Sequence, residues 1–291
     1  MIVIIDRPGQ LCNRLWAITP FIALSLKYKI RLYVAHFDDY SDYFENVNGY
    51  KNINIGFFKN YYSYRAFINL LKISKIKKLS NKICVYNKKI DSFKNLEHLL
   101  TRNNTINLIK AWHQPFDTAV ISEYKNEIKQ IFLPNKETIT YVNKLFSKIT
   151  SPGDAVIGIH MRRSDYKYFM NGKYFFNDDF YKGYMSLIEK EIQKQDKNAV
   201  FLLCSDSDIN MNNFKQFNTI KILNSSTIRD LYALSKCDYI IGPPSTFSMW
   251  ASFYGNVPLR FVKNEKEQIN LLDFSPIIAQ NIFENRCVLS H

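Results

Sequence analysis

Apolar residues along the chain fall into short continuous runs separated by longer stretches of helical spacing, the pattern of buried parallel strands joined by crossover helices. The run Ile2 to Ile5 reads as a buried first strand, followed by the loop Asp6-Arg-Pro-Gly-Gln-Leu-Cys12. A long apolar helix is predicted from about Asn13 to Lys27 and a second strand at Ile30 to Val34, giving a β-loop-α-β unit. Further on come short elements whose order the pattern does not reveal, then a helix from about Lys136 to Lys148.

Ser151-Pro-Gly-Asp154 breaks that helix and is the predicted domain boundary, dividing the chain into residues 1–150 and 151–291. Beyond it the alternation is clear: strand Ala155 to His160, helix Phe180 to Lys194, strand Ala199 to Cys204 and strand Lys221 to Leu223. A helix from Ile228 to Lys236, a strand Tyr239 to Ile241 and a helix opening near Thr246 complete it. The expectation is an α/β protein of two Rossmann-type parallel-sheet domains facing a cleft, with ligands at the carboxyl ends of the strands.

Composition narrows the class. With 46% hydrophobic residues in 291 there is material for real cores, which excludes a disordered chain, and nine Gly with nine Pro exclude collagen-like repeats. The five cysteines are scattered and form no C-x-x-C pair, so they read as reduced and buried, in a cytoplasmic protein. The first residues lack a basic stretch before their short apolar run, so no signal peptide is expected. The longest apolar stretch, Leu15 to Leu26, falls well short of the roughly 20 residues a spanning helix needs.

Net charge is +13 and unevenly spread, since residues 51–94 hold eleven Lys and Arg against the single acid Asp91. Phe57, Phe58, Tyr61, Tyr62, Tyr64 and Phe67 precede Leu70, Leu71, Ile73 and Ile76 at amphipathic-helix spacing. Such a segment suits an anionic membrane face, an anionic acceptor, or a solvated surface. No nucleic-acid-binding motif accompanies it, so nucleic acid is not an expected partner.

The sharpest chemistry lies in His160-Met-Arg-Arg-Ser-Asp-Tyr166, which begins where the strand Val156-Ile-Gly-Ile159 stops. Guanidinium groups stay charged and bind phosphate oxygens bidentately, so Arg162 and Arg163 at a strand end make a diphosphate clamp, or else a surface ion-pair cluster. Gly242-Pro-Pro-Ser-Thr-Phe-Ser-Met-Trp250 forms a tight turn into a helix. Ser245 and Thr246 there either cap that helix or leave its amides to an anion. Gly9-Gln-Leu-Cys-Asn-Arg14 matches neither a dinucleotide fingerprint nor a Walker A loop, and Asn13 and Arg14 either cap a helix or reach a donor. Asp206-Ser-Asp208 admits a second reading, a D-x-D metal site of a metal-dependent nucleotide-sugar transferase.

Taken in order, these motifs resemble the alpha-1,2-fucosyltransferases of glycosyltransferase family 11. The stretch from His160 to Tyr166 is similar to that family's H-x-R-R-x-D-Y, and Ser245-Thr-Phe-Ser-Met-Trp-Ala251 to its S-T-F-x-x-W-A. Asp230-Leu-Tyr-Ala-Leu-Ser-Lys-Cys237 looks like the helix before that last motif, and Gly9 to Leu15 resembles the G-x-L-G-N-Q start. The resemblance implies a GT-B architecture, a GDP-fucose donor held mainly by the C-terminal domain, no obligatory metal, and inversion at the transferred carbon. It implies that Arg162 contacts the β-phosphate, with Arg163 and His160 beside it. Ser245, Thr246 and Phe247 would line the diphosphate and nucleoside pocket, and Asn13 and Arg14 would face the donor. Cys12 stands where the family has Gly and Arg14 where it has Gln, which leaves a related GDP-sugar open as donor.

Asp165 is a candidate for the acceptor base or else only orients the arginines, Asp178 and Asp179 are weaker candidates, and the acceptor is a surface glycan, free or lipid-linked. A cytoplasmic enzyme resting peripherally on the inner membrane face through residues 51–94 is the expected setting. The rival reading is a non-catalytic basic module that binds anionic glycan, lipid or nucleic acid.

Overall fold

A computed structural model describes residues 1–56, 63, 66, 82–102, 105–263 and 268–278. The chain divides into two units, one built on Met1–Asn135 and the other on Lys136–Gln280. The basic aromatic stretch, including Lys72, Lys75, Lys77 and Lys78, lies almost wholly outside the described residues, as does Cys287. Cys12, Cys204 and Cys237 are free and buried, while Cys84 is only half-buried.

In the first unit β1 (Ile2–Ile4), β2 (Leu32–Val34), β3 (Ile53–Ile55), β4 (Ile83–Tyr86) and β5 (Ile106–Ile109) form a parallel sheet of order β3-β2-β1-β5-β4. Helix α1 (Leu11–Tyr28) is buried along almost its whole length, which is why its sequence is apolar nearly all round. It starts at Leu11, with Gln10 in the N-cap position, so Asn13 and Arg14 are first-turn residues and not caps. The chain leaves it through left-handed Lys29, whose amide bonds the Ser25 carbonyl. Helices α2 (Phe93–Thr101) and α3 (Thr118–Glu123) are capped by the side chains of Ser92 and Asp117, and α4 (Lys125–Ile131) follows.

The second unit opens with α5 (Lys136–Ile149), so the boundary lies before this helix and not after it. Its Glu137 pairs with Arg229 at 2.5 Å and its Tyr141 hydroxyl donates to the Leu223 carbonyl. Then come β6 (Asp154–Met161), α6 (Asp178–Gln193), β7 (Asn198–Ser205), β8 (Thr219–Lys221), α7 (Thr227–Leu234), β9 (Tyr239–Gly242), α8 (Thr246–Gly255) and β10 (Leu259–Phe261). Their parallel sheet has the order β10-β9-β6-β7-β8. From β6 the chain winds outward through β7 and β8, then returns to fill the other side with β9 and β10. The switch of direction falls between β6 and β9, the place at the carboxyl ends where doubly wound sheets bind their ligands.

Beneath that edge Met161, Phe180, Tyr181, Ile188, Leu203 and Phe214 pack into one apolar cluster. Full burial of each such side chain contributes roughly 1.5–3 kcal/mol, which fixes the strand ends that carry the site. Gly242 is needed at the end of β9 because a Cβ there would lie 2.7 Å from the His160 carbonyl oxygen.

Candidate active site

Strand β6 ends at Met161, and the next two residues are the paired arginines. The Arg162 guanidinium is gripped from two sides, by Asp165 at 2.9 Å and Asp206 at 3.0 Å, and it lies over the Tyr166 ring. Arg163 pairs with Asp178, the first residue of α6, and lies over Tyr181, while its Nε is buried with no partner. Both cations are therefore fixed in place before any ligand arrives, and each retains N–H donors beyond those its carboxylates use.

Asp206 is the staple of this edge. It accepts from the Arg163 amide at 2.8 Å, the Ser164 hydroxyl at 2.5 Å and the Ser164 amide at 3.3 Å, tying the loop after β6 to the loop after β7. Burial alone would raise its carboxyl, but the Ser164 hydroxyl, the Arg163 amide and the Arg162 charge outweigh it and hold the group below the usual carboxylate range. Asp208 is fully exposed, 3.9 Å from Lys221. The pair therefore does not converge as a D-x-D metal site, because one carboxylate is consumed by the arginine loop and the other points to solvent. Among the described residues no cluster of three or more His, Cys, Asp or Glu is suited to a metal.

His160 is buried on β6, its Nδ1 without a partner and its ring 5.1 Å from that of Phe247 on α8. Burial, helped by the Arg162 charge, lowers its pKa to about 3, so the imidazole is neutral at any working pH. The two motifs read from sequence thus meet across the switch point. Tyr166 strengthens the junction by donating to the Pro244 carbonyl at 2.6 Å, and burial pushes its pKa up to about 12. Ser245 is the N-cap of α8 and its hydroxyl accepts from the Phe247 amide at 3.2 Å, with Thr246 buried beside it.

Asp165 is 58% exposed beside Arg162. Burial would raise Asp178, but Asn213 and Arg163 hold it below the usual range, and Asp179 is exposed and pairs with Lys182 at 2.5 Å. In the first unit Arg14 is buried, pairs with Asp39 at 2.9 Å and lies over Tyr40, leaving Nε and Nη1 without partners. Asn13 packs against Gly9 in the same turn.

Sequence reasoning missed the staple at Asp206 and also Asp230. The latter sits buried in the first turn of α7, one oxygen accepting from Ser225 at 2.8 Å and Oδ1 unpaired. Burial raises its pKa to about 6. An acid in the first turn of a helix reads as an ordinary favourable charge, and only its burial reveals the orphan oxygen.

Known proteins bear on both the family and the architecture. The model for Glycosyl transferase family 11 matches residues 65–258. Among solved structures, the chain resembles a point mutant of Arabidopsis thaliana FUT1 in complex with GDP (TM-score 0.58, 13% identity, covering 94% of this chain and 73% of that one). It also resembles POFUT1 in complex with GDP-fucose (TM-score 0.54, 11% identity, 89% and 96% covered). A third is the NodZ alpha-1,6-fucosyltransferase soaked with GDP-fucose (TM-score 0.51, 16% identity, 89% and 93% covered). At such identities these likenesses carry the fold alone, which is GT-B-like. No curated protein matches the chain by sequence. The family match extends over about two thirds of the chain, and the chain belongs to glycosyl transferase family 11, an enzyme family and not a class of non-catalytic basic modules.

Proposed function

We propose that this enzyme transfers fucose from GDP-fucose to a hydroxyl of a glycan acceptor, with inversion and without an obligatory metal, and that the second unit holds the donor. The observation that carries the reading is the pair of arginines at the switch point, each locked by a carboxylate. As the bond between sugar and diphosphate breaks, negative charge builds on the departing phosphate oxygens. Fixed guanidinium groups stabilise that charge without reorganising, the task a metal ion performs in other transferases. The capped N-terminus of α8 offers backbone amides and a helix dipole to the same anion.

Arg162 is assigned to the β-phosphate, with Arg163 and His160 beside it, and Ser245, Thr246 and Phe247 to the lining of the diphosphate and nucleoside pocket. His160, being neutral, serves as a hydrogen-bonding and packing group and not as an acid. The solved structures that the chain resembles hold GDP or GDP-fucose, which supports a GDP-sugar over a UDP-sugar. Asp165, exposed and beside Arg162, is the group assigned to take the proton from the acceptor hydroxyl; Asp178 and Asp206 are held ionised by their partners and are weak bases.

The experiment is to incubate the protein with GDP-fucose, GDP-mannose and UDP-galactose in EDTA and to measure nucleotide release. GDP release from GDP-fucose above the other two supports the assignment, and equal or absent release rejects it.

A further inference from the structure

Two recesses run side by side along the first turns of α6, of 490 Å³ and 440 Å³. They share Asn177 and Asp179; Phe175 lines the first and Leu187 the second, and these two side chains are 41% and 40% exposed. Arg163 borders the first recess. Over the second lies Gly183, inside the helix, where an added Cβ would meet nothing within 4 Å. Packing within the described residues therefore gives no reason for glycine there, although alanine would make the better helix.

We infer that this groove binds the neutral oligosaccharide portion of the acceptor, an inference that rests on the proposed glycosyl transfer. A pyranose ring has an apolar C–H face and a rim of hydroxyls. Phe175 and Leu187 offer apolar surface to such faces, while the Asn177 amide, the Asp179 carboxylate and the Lys182 ammonium offer acceptors and donors to the rim. Asn177 spends its oxygen on capping α6 at the Phe180 amide, which leaves its NH₂ to donate. The carboxylates of Asp178 and Asp179 on the first recess oppose a diphosphate and tolerate a neutral polyol. Two adjoining recesses suit more than one sugar unit, and the bare surface at Gly183 lets a ring approach the helix backbone. Arg163 belongs both to this groove and to the proposed diphosphate clamp, so a glycan seated here ends beside the reacting centre.

The test is a printed array of defined neutral and acidic oligosaccharides, probed with the full chain in saturating GDP. Wild type should be retained on neutral glycans, and Phe175→Ala and Gly183→Leu should weaken that retention at least about tenfold, the loss of one well-packed contact. Gly183→Ala should melt at a higher temperature than wild type and still bind glycan less well, a combination that a purely structural glycine does not give. Leu272→Ala, on an exposed leucine elsewhere in this unit, is the control that should bind as wild type does. Retention of no glycan by wild type, equal retention by all variants, or loss of the GDP-induced melting shift in Gly183→Leu overturns the inference; the last outcome would make the groove a nucleotide pocket. Failure of GDP to shift wild type itself would instead strike the donor assignment.

Discussion

Arg162 combines a fixed position with spare donors, which is what a group that stabilises developing phosphate charge requires. Arg162→Ala should lower kcat/KM at least about a hundredfold, since one preorganised contact of this kind is worth roughly 3 kcal/mol. Arg162→Lys should recover only part of that, because an ammonium cannot reproduce the fork that Asp165 and Asp206 grip. Steady-state kinetics on folded variants check both, and near-normal rates for the alanine variant would remove Arg162 from the site. Asp230 makes a different prediction, with its carboxyl near 6 when folded against about 4 when unfolded. Stability from this group is complete below about pH 4 and is lost as pH rises through about 6. Asp230→Asn should accordingly gain stability over wild type at pH 7, by up to about 2–3 kcal/mol, with the gain shrinking toward pH 4. A gain that does not vary with pH would contradict this reading of the buried carboxyl. The arginines and the Ser-Thr-Phe turn were legible in sequence because polar clusters at the ends of apolar runs mark strand ends. The direction of a carboxylate was not, which is why Asp206 read as half of a metal site.

Strand β6 and strand β7 are each eight residues long and buried along most of their length, so their apolar runs stand out in sequence. Strands β3, β4, β5 and β10, of three or four residues each, went unread. Strand β8 lies two residues before its expected start because Leu223, counted as core, is exposed. The loops that join these strands to the site depend on Asp206, which holds two amides, a hydroxyl and a guanidinium at once. Asp206→Ala would leave those donors half-buried and unpaired, at a cost of about 2–4 kcal/mol. Its lowered pKa means that the stabilisation is present above about pH 4 and lost on acidification, so wild type and variant should converge in acid. Urea denaturation at pH 7 and pH 3 measures this, and equal midpoints at pH 7 would show that the staple carries little.

At the scale of the molecule, two doubly wound sheets were legible from the alternation of strand and helix, while their boundary was not. A Pro-Gly break resembles a linker, yet Ser151 to Asp154 is only a tight turn between α5 and β6, closed by the Ser151 amide on the Asp154 carboxylate. No helix among the described residues is long and apolar enough to cross a membrane. The central claim is that the second unit is a GDP-sugar site whose arginines replace a metal. A thermal-shift series with GDP, UDP and CMP, each in EDTA and in magnesium, tests it most directly, since a ligand that binds only the folded state raises the melting temperature by mass action. The account predicts a larger shift with GDP than with UDP or CMP, equal in EDTA and in magnesium; equal shifts for all three nucleotides, or a GDP shift that requires magnesium, would contradict it.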